Sequence, residues 1–197
     1  MAEVPGVPCW NPVLFADGER LLLFYKVGEE IPRWQTFIKE SPDSGLTWSE
    51  GRELVPGDFG GRGPVKNKCI RLQDGALLAP ASTEGAGWAC FTDRSEDGGR
   101  TWHRSPDVPF ERGMLSGSGM IQPTLWQDER GTVHMLMRSS EGAIYRSRSE
   151  DGGRSWGTTH GARPARGPWR IWSGLSGLIL RSWSGGADGF LRAFMAF

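Results

Sequence analysis

Ser95-Glu96-Asp97-Gly98-Gly99-Arg100-Thr101-Trp102 recurs twice in the chain. The earlier copy is Ser41-Pro42-Asp43-Ser44-Gly45-Leu46-Thr47-Trp48 and the later one is Ser149-Glu150-Asp151-Gly152-Gly153-Arg154-Ser155-Trp156. Ser41, Ser95 and Ser149 are equally spaced, so the matches define an internal repeat rather than a chance motif. Each copy reads as a hairpin turn. The Ser hydroxyl and the Asp carboxylate can bind backbone N–H groups across the turn. Gly45, Gly99 or Gly153 supplies a positive φ. The Thr or Ser and the Trp then restart a strand, with the indole placed to pack between sheets.

A second ladder runs out of phase with the first. Gly18, Gly75, Gly131 and Gly189 recur at nearly the same interval, and Asp17, Asp74 and Asp188 precede three of them. Each glycine lies between two apolar runs, as in Pro12 to Ala16 and Leu21 to Tyr25, or Met120 to Trp126 and Val133 to Met137. The repeating unit is therefore strand, glycine turn, strand, loop, strand, acidic turn, strand. Four antiparallel strands in each such interval is the make-up of one propeller blade. No segment has helical periodicity with caps. The expected fold is all-β, a partial β-propeller with three complete four-stranded blades in residues 1–156. A β-sandwich carries similar turns but does not require a fixed long period.

Residues 157–197 change character. Arg163, Arg166, Arg170, Arg181 and Arg192 face a single acidic residue, Asp188, and Trp169, Trp172 and Trp183 are added. This stretch reads as an irregular basic tail or a truncated fourth blade, with Leu178 to Leu180, the Asp188-Gly189 turn and Phe190 to Phe197 as its first two strands. A tail altered by a change of reading frame is the alternative. A fourth acidic turn would fall beyond Phe197. Three blades do not close a ring, which needs roughly four to eight. Open edges favour aggregation or self-association, so the expectation is a truncated protein or one that assembles to close.

Composition narrows the function classes. Lys and Arg number 23, as do Asp and Glu, giving no net charge. A general nucleic-acid or membrane-surface binder would need a basic excess, so neither partner is expected. Ten tryptophans supply broad apolar slabs or platforms for flat ligands such as sugar rings. Cys9, Cys69 and Cys90 form no CxxC, and His103, His134 and His160 lack metal-ligand spacing, so no metal or cofactor is expected. The N-terminus lacks the charged and apolar regions of a secretory signal, and no apolar run reaches membrane-spanning length. The default location is the cytoplasm.

Chemistry is expected where the repeat is broken or where polar residues ring the axis, not in the acidic turns, whose carboxylates are engaged in folding. Asn11, Asn67 and Gln122 hold matching places at the starts of inner strands. Their amides suit ligand hydroxyls, and equally suit tying adjacent blades together. Lys26 and Arg138 end apolar strands in two blades, with Ser82, Thr83 and Glu84 in the middle place. A repeated cation there suits an anionic group, while a solvated strand end gives the same pattern. Lys66 and Lys68 flank Asn67 on one face by alternation, adding positive potential or marking a surface edge. Trp10, Trp34, Trp88 and Trp126 fit sugar platforms or core packing.

The pattern Ser-x-Asp-x-Gly-x-Thr-Trp resembles the Asp box, or BNR repeat, of the sialidase (neuraminidase) superfamily. In that reading Ser41, Asp43, Gly45, Trp48, Ser95, Asp97, Gly99, Trp102, Ser149, Asp151, Gly153 and Trp156 are the structural Asp-box residues. The context, Trp10 to Phe15, Leu21 to Gly28, Gly61 to Lys68, Ile121 to Trp126 and Met137-Arg138-Ser139, is similar to bacterial BNR-repeat, sialidase-like proteins over residues 8–156. The resemblance implies a six-bladed propeller that hydrolyses glycosides without metal. It also implies three arginines on the substrate carboxylate, a Tyr nucleophile assisted by Glu, and an Asp acid/base. Trp10-Asn11-Pro12 stands where the family has Arg-Ile-Pro. Arg138 resembles a triad arginine, and Tyr25 and Tyr145 do not stand in the nucleophile's context. No catalytic residue is assigned. The expected substrate-binding residues are Arg138, Lys26, Asn11, Asn67, Lys66, Lys68, Gln122 and Glu84. The expected function is a sialidase-like glycoside hydrolase or a fragment of one, binding a carbohydrate or glycoconjugate at the propeller axis. The alternatives are a non-catalytic carbohydrate-binding or scaffold propeller and an inactive truncated product.

Overall fold

The computed structural model describes residues 4–161 apart from Ala86, Arg112 and Met114. Three four-stranded antiparallel sheets follow one another along the chain. The first holds β1 (Cys9–Asp17), β2 (Arg20–Val27), β3 (Gln35–Ser41) and β4 (Arg52–Glu53). The second holds β5 (Ile70–Arg71), β6 (Leu77–Glu84), β7 (Trp88–Ser95) and β8 (His103–Arg104). The third holds β9 (Met120–Gln127), β10 (Val133–Ser139), β11 (Ile144–Ser149) and β12 (His160–Gly161). The strands run in chain order within each sheet. Helical structure among the described residues is one 3-10 turn, Ile31–Arg33. The expected all-β blades are therefore present, and β12 carries the third sheet past Trp156. The Asp188-Gly189 turn and the expected strands around it lie outside the described residues.

The tight connections are those read from sequence. Asp17 pairs with Arg20 around Gly18, and Gln127 pairs with Val133 around Gly131. At the acidic turns the hydrogen bonds repeat almost atom for atom. Ser95 Oγ donates to Asp97 Oδ1 at 2.8 Å and accepts from Gly99 N at 2.7 Å. Thr101 donates its N–H and hydroxyl to the same carboxylate at 2.9 and 2.6 Å. These bonds to the ionised form, Thr101 foremost, hold the Asp97 carboxyl below the ordinary carboxylate range. The box glycine is required sterically in the third copy: φ is +84° at Gly153, and a Cβ there would lie 2.6 Å from Leu78 Cδ2.

Alternation along the middle strand of each sheet builds the core. Leu22 and Phe24 face the second sheet and cluster with Leu77, Ala79 and Trp102, while Ile38 and Leu54 complete that layer. One sheet on, Leu78 and Cys90 meet Met120, Met135, Met137 and Trp156. Trp102 and Trp156 thus seat on the sheet before their own. Trp102 packs edge-on against Phe24 at 5.8 Å, and Trp48 lies against the outer face of the first sheet with Tyr25 and Phe37. Each fully enclosed Leu, Phe or Met contributes on the order of 1.5–3 kcal/mol, so inter-sheet packing rather than any single sheet holds the stack.

Antiparallel connectivity then sorts the molecule into two rims. Every blade starts at one end, turns at its glycine at the other, returns, and descends again to its acidic turn. All acidic turns and glycine turns share one rim. The starts of β1 and β9, the ends of β2, β6 and β10, the connection 28–34, and Gly85 and Gly87 share the opposite rim, where the candidate residues stand.

Candidate functional site

A cleft of about 360 Å³ opens on that opposite rim between the first two sheets. The end of β2 gives Lys26, the following connection gives Trp34, and the end of β6 gives Ser82, Thr83 and Glu84. The linker between the sheets crosses beside it. Gly61, at φ +85°, lets that linker approach so closely that a Cβ would fall 2.5 Å from Ser82 O.

Lys26 is the residue whose surroundings depart most from expectation. Its side chain is wholly enclosed. Nζ donates to Thr36 Oγ1 at 2.7 Å and to Arg62 O at 2.6 Å. Burial pushes its pKa down to about 7, against the opposing pull of Asp93 and Asp58. In this arrangement the ammonium clips β2 to the linker and does not present itself to solvent.

Beneath it sits an ion pair that the sequence reading missed. Asp93, fully buried, binds Arg62 at 2.6 Å and accepts from Gly63 N at 2.6 Å. Arg62 also donates to Trp102 O at 3.0 Å. The available signal was a break in the repeat: the positions one repeat before and one repeat after Asp93 hold Lys39 and Ser147.

The amide ring needs a register correction. Asn11, Lys66 and Gln122 share a left-handed backbone, with φ of 45°, 68° and 55°. In β1 and β9 this residue lies in a bulge, where the register shifts between Trp10 and Val13 and across from Leu136 and Arg138. Lys66, not Asn67, is thus the counterpart of Asn11 and Gln122, and Asn67 matches Pro12 and Pro123. The extra bulge residue is invisible to simple spacing. Asn67 is buried and donates Nδ2 to Gln122 O at 3.0 Å and Pro123 O at 2.9 Å, which ties the second sheet to the third. Its Oδ1 has no hydrogen-bond partner among the described residues. Lys66 and Lys68 are exposed on either side of it, although the regular strand here is only Ile70–Arg71.

Arg138 is exposed on the same rim. It lies opposite Ile121 as Lys26 lies opposite Trp10, so the repeated cation position is real. Its guanidinium donates to Gln122 Oε1 at 3.4 Å and stands over the Trp88 ring at 5.9 Å. Gln122 N donates to Ser82 Oγ at 3.3 Å, which joins this cluster to the cleft. Glu84 pairs with Trp88 across β6 and β7. Arg138, Gln122, Ser82 and Glu84 are therefore brought into one neighbourhood. Trp126 is instead stacked on His134 at 4.9 Å, away from the cleft on the outer face of the third sheet.

The family follows from comparison with known proteins. The model of the BNR repeat-like domain matches residues 2–167. The chain belongs to the BNR repeat-like domain family. Solved structures with the same fold include sialidases. Trypanosoma rangeli sialidase matches with a TM-score of 0.58 at 18% identity over 76% of this chain and 28% of that one. The NanB sialidase of Streptococcus pneumoniae gives 0.54 at 20% identity over 71% and 20%. The intramolecular trans-sialidase of Ruminococcus gnavus gives 0.52 at 18% identity over 80% and 35%. This BNR-repeat chain thus spans between a fifth and about a third of the length of those proteins, and shares their blade architecture. No curated protein matches it.

Proposed function

We propose that the chain forms part of the ligand-binding half of a sialidase-like glycoside hydrolase, with carbohydrate held on the rim opposite the acidic turns. The observation that carries this is the convergence of Arg138, Gln122, Ser82 and Glu84 beside a cleft, on a fold whose solved relatives include a sialidase in complex with sialic acid. Arg138 offers a planar cation for a carboxylate, its amide neighbour Gln122 offers a second polar contact, and Glu84 accepts from hydroxyls. Asn11, Lys66 and Lys68 add polar and positive groups around the same rim.

The test is titration of the purified chain with sialyl and neutral glycosides, followed by turnover of an aryl glycoside. Binding that falls at least about tenfold in Arg138→Ala, with an unchanged melting temperature, supports the reading. A folded chain that binds no glycoside ends it.

Two observations favour a second reading, a carbohydrate-binding propeller without catalysis. Tyr25 is buried on the outer face of the first sheet with Phe37, and Trp10 stands where the resemblance to sialidases puts the first arginine. Glycoside binding without turnover selects this reading.

A further inference from the structure

We infer that the cleft between the first two sheets is a site for an uncharged sugar ring, with Trp34 as its aromatic wall and Trp10, outside the lining, stacked on Trp34 to hold it in place. The inference rests on the reading that this rim binds carbohydrate, and it names the class of ring the cleft takes.

Trp10 stacks on Trp34 with ring centroids 5.7 Å apart and planes inclined by 22°. Its Nε1 donates to Gly28 O at 2.8 Å, which fixes the orientation of the indole. Trp10 lies on β1, the edge strand of the first sheet, and 44% of it stays exposed while its partner ring Trp34 is held between it and the cleft. A flat apolar surface prepared in advance suits the C–H face of a pyranose and loses little entropy on binding.

Charge decides between neutral and acidic rings. Among the described residues lining the cleft, the ionisable ones are Lys26 and Glu84. Lys26 is enclosed, with Nζ engaged by Thr36 and Arg62. Glu84 is only partly buried, so the ionisable group a ligand touches in the cleft is a carboxylate, which repels an anion at contact and accepts hydrogen bonds from sugar hydroxyls. Thr83 adds a hydroxyl, and Gly60, Gly61, Gly85 and Gly87 leave the backbone uncovered beside the opening. The volume lies at the low end for small-molecule sites and suits one ring rather than a chain of them. Arg138 stands outside this lining, so an acidic ring held there and a neutral ring in the cleft are separate contacts on one rim.

The experiment is ligand-observed saturation-transfer NMR on the full chain with methyl β-galactopyranoside, methyl β-glucopyranoside and the methyl glycoside of N-acetylneuraminic acid. At least one neutral glycoside should receive saturation on one C–H face. Trp10→Ala should weaken it about tenfold and Trp10→Phe no more than about threefold. Glu84→Gln should weaken the neutral glycosides. If Trp10→Ala fails to fold by circular dichroism, Trp10→Phe and Glu84→Gln carry the test. Neutral binding untouched by the Trp10 and Glu84 substitutions overturns the inference. So does acidic binding that depends on Arg138 with no neutral binding, which leaves the broader function standing. No binding of any of the three removes both.

Discussion

The indole of Trp156 donates to Thr92 Oγ1 at 3.1 Å, across the boundary between the third and second sheets. Thr92 in turn donates to Gly153 O at 2.7 Å, so one hydroxyl is inserted into the acidic turn of the following blade. In the second blade the corresponding indole, Trp102, reaches its own Gly99 O directly at 3.0 Å. The difference follows from one residue. Ile38, one repeat before Thr92, has no hydroxyl to insert. Thr92→Val should therefore lower stability by about 1–2 kcal/mol, the cost of two lost buried bonds partly recovered if Trp156 turns to Gly153. Urea unfolding measures it, and an unchanged midpoint would show that the inserted hydroxyl contributes nothing.

Asp93 and Arg62 make the most enclosed ion pair among the described residues. Removing one partner leaves a guanidinium with little solvent and an orphaned Gly63 N–H. Asp93→Ala should cost about 3–5 kcal/mol, and Asp93→Asn less, because its amide oxygen still accepts. Melting temperatures of the two variants give the order; equal losses would contradict it.

Lys26 makes stability depend on pH on the alkaline side. Its folded pKa, about 7, lies below the ordinary lysine value of 10.5. Between those values the unfolded chain binds more protons than the folded one, so stability rises with pH across that window and is lowest, from this group, below it. Urea midpoints from pH 7 to 9 should increase in the parent and stay flatter in Lys26→Met, where Thr36 Oγ1 can still donate to Arg62 O at 2.5 Å. Parallel profiles would mean that Lys26 is not titrating there.

Asn67 and Arg138 share an expected role, and the structure separates them. Asn67→Ala should cost about 2 kcal/mol by leaving Gln122 O and Pro123 O unpaired between sheets. Arg138→Ala should change stability by less than about 0.5 kcal/mol, as an exposed residue does. Denaturation of both, beside glycoside titration, distinguishes the clip from the ligand contact.

The repeat was legible because hydrogen bonding in the acidic turns demands particular residues at fixed spacing. Ser, Asp and Trp each make a side-chain contact in that turn and Gly takes its positive φ, so the blade period stood in plain view. The glycine ladder was legible for the same reason. The site was less so. The bulges at Asn11 and Gln122 add a residue without a composition signal, which shifted Asn67 by one place against its true counterparts. Lys26 looked like a strand-end cation, yet besides Thr36 Oγ1, opposite it on β3, it is enclosed by Arg62 O from a linker well removed along the sequence. Pairing of that kind is set by tertiary packing, and no local pattern announces it.

The sorting of connections onto two rims has an evolutionary corollary. Residues that close the blades on themselves sit at one pole, and segment 28–34, Gly85 and Gly87 at the other are relieved of that duty. Grafting different loops onto the second pole should change which molecule is gripped while the scaffold keeps its melting point, so diversification and folding can proceed as nearly independent problems.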